Sequence, residues 1–274
     1  MNQDRRLKEN IMKVLIWGSA VITVGILLWI VSYVVINGIG EINKEFLTTS
    51  PVGDEGGIYP MLPTTLYMVL LTIVIATPIG ICAAIYLVEY AKPGKVVRII
   101  RFATESLAGI PSIIFGLFGF IMFVTIFKLG WSILSGSLTL SIMILPTIVR
   151  TTEEALRSVP DTFRQGSLAL GASKFRTILF VVLPCCGRGI ISASILSIGR
   201  IVGETAAVFF TAGTVARVPS SINDSGRTLA VHLFIMAKES LSFSKAFATA
   251  TVLILLVLTV NIITSGIGKR LKKY

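Results

Sequence analysis

Residues 165–184 read QGSLALGASKFRTILFVVLP, a polar first half that runs directly into an apolar second half. Just upstream, Pro160 and Asp161 suit the first turn of a helix, and Gly171 stands where a helix ends. Ser173 is placed to cap a second helix. A helix, a Gly-Ala-Ser turn and another helix leading into an apolar run form a rigid knob standing off a membrane, which suggests docking rather than catalysis. The apolar runs around it decide the fold class, all-α and built from membrane-spanning helices.

Composition points the same way. The 274 residues are 54% hydrophobic and 14% charged, with a mean hydropathy of +0.85, far from the soluble globular average. A net charge of +11 would in a soluble chain suggest a nucleic-acid partner. Here the basic residues sit at the ends of apolar runs and report topology, so no nucleic acid is implied and the partner surface is the lipid bilayer. Cys82, Cys185 and Cys186 show no metal or redox spacing and read as small hydrophobes within the membrane.

Six spans are expected, at about 14–36, 65–87, 110–127, 132–149, 190–210 and 247–267. The first is too long for a signal-peptide core and lacks an A-x-A-like site, so it reads as a retained helix. Only Lys128 to Trp131 separate the third span from the fourth, which predicts an antiparallel hairpin. The segment from Asn37 to Pro63, with Glu41, Glu45, Asp54 and Glu55, reads as an outer loop, and residues 150–184 form a cytoplasmic loop containing the knob. The two termini and the two even-numbered loops carry 17 of the 25 Lys and Arg, which places both termini and the knob in the cytoplasm. One membrane domain, 1–274, accounts for the whole chain.

Two basic residues belong to the fifth span itself. Arg188 lies at its cytoplasmic end, where it can snorkel. Arg200 falls midway along it, near the bilayer midplane, where a charge costs about 2.5 to 3.5 kcal/mol and marks a protein interior or a wet path. Glu204 follows at i, i+4, which on a continuous helix puts both on one face, extended by Ser197 and Thr211 with Gly199 and Gly203 alongside. The guanidinium fork matches phosphate-like oxyanions. An anion path and a mutually neutralising pair inside a bundle are the two readings this pattern allows.

Enzymatic signatures are missing. No GxSxG, HExxH or GxxxxGK[ST] occurs, and the single histidine, His232, has no second His or Cys with which to share a metal. Any nucleotide-driven work therefore requires another chain, and no catalytic residue, metal or cofactor is assigned to this one.

The knob resembles the EAA loop of ABC-importer permeases, whose pattern is EAA, three residues, Gly, then nine residues before I-x-L-P. Gln165, Gly166 and Ser167 stand at the EAA positions, Gly171 follows at the family spacing, and Val181, Leu183 and Pro184 match the end. Gln165 replaces the acidic residue. Four further phrases make the chain similar to phosphate permease subunits of the PstA type: GGIYPMLPTTLYMVLLTIVIATPIGICAAIYLVEYA from Gly56, LAGIPSIIFGLFG from Leu107, GRIVGETAAV from Gly199 and RTLAVHLF from Arg227.

That resemblance implies a type I ABC importer permease, multi-pass in a prokaryotic cytoplasmic membrane. It assigns coupling to the ATPase to Gln165, Gly166, Ser167, Leu168, Ala169, Gly171, Ala172, Ser173 and Pro184. It places Arg200 and Glu204 on the substrate path, to which the polar residues Ser197 and Thr205 beside them are added as candidates. It also implies a heterodimer with a sister PstC-type permease, PstB-type ATPase subunits that bind ATP and Mg, and an extracytoplasmic PstS-type phosphate-binding protein. A sister permease, a permease for another oxyanion, an ion-coupled carrier and a regulatory scaffold are the competing readings, and a separate Walker-motif chain discriminates the first two from the rest.

Overall fold

A computed structural model describes residues 3–51, 56–239 and 242–270, which are almost wholly helical. In chain order the helices are α1 (Gln3–Gly38), α2 (Lys44–Thr48), α3 (Met61–Ile85), α4 (Lys95–Ala108), α5 (Ser112–Gly119), α6 (Ile133–Arg157), α7 (Asp161–Ala169), α8 (Lys174–Thr177), α9 (Leu183–Val202), α10 (Ala206–Thr211), α11 (Leu229–Lys238) and α12 (Phe243–Arg270). Wider π turns extend α3 through Tyr86–Tyr90 and α5 through Phe120–Ile126, and Ile178–Val182 joins α8 to α9. Asp54, Glu55, Lys272 and Lys273 of the charge pattern lie outside the described residues.

Five helices are long and apolar enough to cross a membrane, and the bent pair of Lys95–Ala108 and Ser112–Ile126 supplies a candidate for the sixth crossing. The expected third span, 110–127, is helical over Ser112–Ile126. The apolar run at 110–127 is entered through a 104° bend between Lys95–Ala108 and Ser112–Ile126. Pro111 causes it, because proline has no N–H to give and drives Ile110 out of helical geometry. The expected hairpin after α5 is present, turning through Lys128 and Gly130 at positive φ. Ser132 caps α6 by accepting from the Ser135 N–H at 3.1 Å.

The fifth span differs from 190–210. Its helix begins at Lys174, runs to Val202 and stops, and α10 restarts only at Ala206. The fourth span continues past Val149 to Arg157, and the stretch 174–184 is already helical, so 150–184 is two helix ends around a short knob rather than a loop. The π turn at Ile178–Val182 lies just before Pro184, where a regular α-helix would need an N–H that proline lacks.

At the centre, α3 and α6 approach through small residues. A Cβ on Gly80 would meet Ile148 Cγ2 at 2.6 Å, and one on Gly119 of α5 would meet Thr139 Oγ1 of α6 at 2.1 Å. Such close backbone approach replaces the hydrophobic drive that lipid cannot supply between helices. α1 stands at the edge against α12, where Tyr33 meets Phe247 edge-on at 5.7 Å. On the outer side Phe46, Ile58, Met61, Leu229 and Ala248 form a separate apolar cluster.

Candidate coupling knob and substrate path

The end of α7 carries a Schellman motif. The Ala172 N–H donates to the Ser167 carbonyl at 3.2 Å and the Gly171 N–H to the Leu168 carbonyl at 2.9 Å. That closure requires the left-handed φ of +84° at Gly171. The Ser173 hydroxyl then accepts from the Arg176 N–H at 3.4 Å, starting α8 as the sequence predicts. Ser167 and Thr177 hydroxyls meet at 2.9 Å and hold the two helices together. Gln165, Gly166, Leu168 and Ala169 face outward with Phe163, Leu170 and Phe175, and Leu170 is 90% exposed. Pro184 is also exposed, on the helix leading away.

Sequence reasoning missed what anchors this knob. Arg164, one residue before the EAA positions, is largely buried and donates from Nε and Nη2 to Oε1 of Glu89 at 3.0 and 2.8 Å. It also donates to the Val159 carbonyl at 2.7 Å, to the Leu156 carbonyl at 2.8 Å, and to Asp161 Oδ1 at 3.2 Å. One guanidinium thus satisfies carbonyls at the end of α6 while gripping the cytoplasmic end of the α3 helix. Lys174 adds a second tie, donating to the Glu89 carbonyl and lying over the Tyr90 ring. Glu89 and Arg164 are 75 positions apart, so no local pattern announces the pair.

The depth of Arg200 follows from helix pairing. Gly189 abuts Ala155, and the Cys186 thiol donates to the Ala155 carbonyl at 3.4 Å. At the other end Ile201 and Val202 share a core cluster with Leu140 and Ile144, so α9 and α6 are antiparallel. Eleven residues from Gly189 to Arg200 cover about 16 Å, which places Arg200 level with Ile144, about 16 Å from the outer end of α6 and halfway across a ~30 Å hydrocarbon core.

The expected shared face of Arg200 and Glu204 is not formed, because the helix ends between them. Gly203 terminates α9, and Glu204 Oε1 accepts from the Ala207 N–H at 3.2 Å, capping α10. Thr205 sits in the break, its hydroxyl 3.4 Å from the Gly203 carbonyl. Ser197 is buried towards the core with its Oγ unpaired, and Thr211 lies buried on α10, donating to the Ala207 carbonyl at 2.6 Å. The polar stripe is therefore replaced by a broken helix. Arg200 is exposed and has no hydrogen-bond or ion-pair partner among the described residues. The space beside it is open, since a Cβ on Gly199 would meet nothing within 4 Å.

The family model described as "Binding-protein-dependent transport system inner membrane component" matches residues 76–273. The chain belongs to that family. As a permease of this family it is a non-catalytic membrane subunit that works with a separate ATPase and a substrate-binding protein. The permease is 34% identical over 288 residues to the "Probable ABC transporter permease protein YqgI" of Bacillus subtilis (strain 168), covering 98% of each chain. It is 34% identical over 267 residues to the "Phosphate transport system permease protein PstA" of Mycobacterium leprae, covering 94% of this chain and 88% of the relative. The Pasteurella multocida protein of the same description is 32% identical over 266 residues, covering 94% and 93%.

Among solved structures, a bacterial ABC transporter for the import of alginate superposes with a TM-score of 0.69 at 12% identity, covering 98% of the permease and 100% of that chain. The inward-facing MetNI methionine ABC transporter gives 0.60 at 19% identity, covering 78% and 94%. At these identities the likeness establishes the fold, that of ABC importer permeases.

Proposed function

We propose that this chain is the PstA-type permease of an ATP-driven importer that carries inorganic phosphate inward, with Arg200 as the phosphate-binding group of the path. The observation that carries the reading is an arginine at mid-membrane depth, beside a helix break, with open space and no partner of its own among the described residues. A guanidinium held at such depth gains most when a charged oxyanion sits beside it. Support for phosphate over other oxyanions comes from relatives described as phosphate permeases. Glu204 and Thr205 shape the break, and Ser197 supports the helix behind Arg200 from its buried position.

A sister PstC-type permease brings a second wall to the path, a PstS-type protein delivers phosphate from outside, and PstB-type subunits hold ATP and Mg. Closure of the ATPase pair on ATP pushes the outward-facing apolar surface of the knob. Two routes carry the push inward: α8, continuous with α9 and hence with Arg200, and the Arg164–Glu89 grip on α3. Alternate exposure of the path follows from the relative movement of these two helices.

The test is reconstitution with the three partners, followed by phosphate-dependent ATP hydrolysis and uptake with sulfate and molybdate as competitors. Phosphate alone should stimulate hydrolysis and enter the vesicles. Stimulation by another oxyanion in preference to phosphate overturns the substrate assignment, and uptake without ATP overturns the coupling.

A further inference from the structure

The helix α4 does not look like part of a span. It meets the following helix at 104°, so with Ser112–Ile126 crossing the bilayer, α4 lies close to the plane of the membrane. Its residues sort into three faces at 100° per position. Val97, Arg101, Thr104 and Leu107 are partly covered by the protein, and Arg101 Nε reaches Glu153 Oε2 of α6 at 3.4 Å. Val96, Ile99, Ile100 and Ala103 form an apolar stripe that the described residues leave exposed, with Val96 and Ile99 69% and 65% exposed and Ile100 36%. Arg98 and Glu105 occupy the opposite side, with Lys95 at its edge, Phe102 between Arg98 and Lys95, and Lys92 just before the helix, all exposed.

Leu107 fixes which way the apolar stripe points. It closes that stripe and packs on the membrane-core cluster that includes Phe115 and Ile148, so the stripe turns toward the hydrocarbon and the basic side toward the cytoplasm. An apolar face buried at the headgroup boundary and a basic face beside it is the arrangement of an interfacial helix. Three exposed cations against one Glu complement a negatively charged leaflet.

We infer that α4 is an in-plane anchor that binds the anionic phospholipid headgroups of the cytoplasmic leaflet through Lys92, Lys95 and Arg98. The anchor also connects to the coupling machinery. Glu153, which forms an ion pair with Arg101 at 3.4 Å, also accepts from Arg157 at 3.1 Å, and Arg157 ends α6 four residues before α7 begins. Leaflet charge is thereby linked to the base on which the knob stands. The inference rests on the membrane topology and not on the identity of the substrate, so it survives or fails independently of phosphate uptake.

Two measurements on the assembled importer in nanodiscs test it. With the native cysteines replaced by alanine, a nitroxide at Ile99→Cys should collide with oxygen and be shielded from a water-soluble nickel chelate, and one at Arg98→Cys should show the reverse. Val96→Cys reads the same stripe if Ile99→Cys does not assemble. In discs of phosphatidylcholine with phosphatidylglycerol, the K92Q/K95Q/R98Q triple variant should lose phosphatidylglycerol association by about fivefold per residue. A label at Ile99 open to the nickel chelate overturns the inference. So does a label shielded from both reagents, which means a protein partner covers the stripe, and so does wild-type lipid association in the triple variant.

Discussion

Arg164 of the coupling knob and Glu89 at the cytoplasmic end of the α3 helix form a two-bond ion pair, Nε and Nη2 both reaching one carboxylate oxygen at 3.0 and 2.8 Å. Side-chain exposures of 17% and 8% keep the pair largely out of water. Breaking such a pair by removing one partner leaves a buried charge and costs about 3 to 5 kcal/mol, whereas replacing both by apolar groups is far milder. Glu89→Ala should therefore destabilise the assembled permease and lower the phosphate moved per ATP hydrolysed. E89M/R164M should recover thermal stability above either single methionine variant without recovering coupling. A double variant less stable than both singles would contradict the pair's role.

Gly171 gives a cleaner backbone test. Its φ of +84° is costly for a residue with a Cβ, yet the space around it is open, so only the backbone term is at stake. Gly171→Ala should lower stability by about 1 to 2 kcal/mol, Gly171→Asn by less, and both should weaken stimulation of the ATPase in that order. Equal stability of the alanine and wild-type proteins would show that the turn tolerates another conformation.

The knob was legible because its signals are local: Gly171 closes one helix, Ser173 opens the next, and three short-range hydrogen bonds do the rest. The hairpin at Lys128–Trp131 was legible for the same reason. The two breaks were not, because Pro111 and Gly203 each fall inside a stretch long and apolar enough to read as one span, and span length does not reveal a change of direction. Both carried a readable trace, a Gly-Ile-Pro sequence at 109–111 in one and a Gly-Glu-Thr capping sequence before an apolar run in the other. Arg164 with Glu89 and Arg101 with Glu153 are long-range pairs whose partners only the fold brings together.

On the outer side, the His232 imidazole lies buried with Nδ1 3.3 Å from Arg227 Nη1. Burial first, and the Arg227 guanidinium second, push its pKa from the ordinary 6.5 down to about 4. The unfolded chain therefore binds the proton at a higher pH than the folded one, so this contribution is complete above about pH 6.5 and is lost as pH falls towards 4. Thermal stability of the purified complex should decline through that window, and His232→Gln should flatten the decline. An unchanged slope would place the titrating group elsewhere.

The outward apolar surface of the knob predicts its neighbour. Ala169 is exposed beside Leu168 and Leu170, so Ala169→Cys, and Ala172→Cys on the adjoining turn, should crosslink to the ATPase subunit, with a yield that changes on ATP binding. Absence of any crosslink from positions 165 to 173 would remove the knob as the docking site.

The central claim is most directly tested at Arg200, by measuring ATP-driven phosphate uptake into vesicles containing the complete importer with Arg200→Ala or Arg200→Lys. Both variants should assemble with their partners and both should lose uptake, because the alanine has no charge and the lysine lacks the planar fork. Uptake at the wild-type rate by the assembled alanine variant would contradict the account.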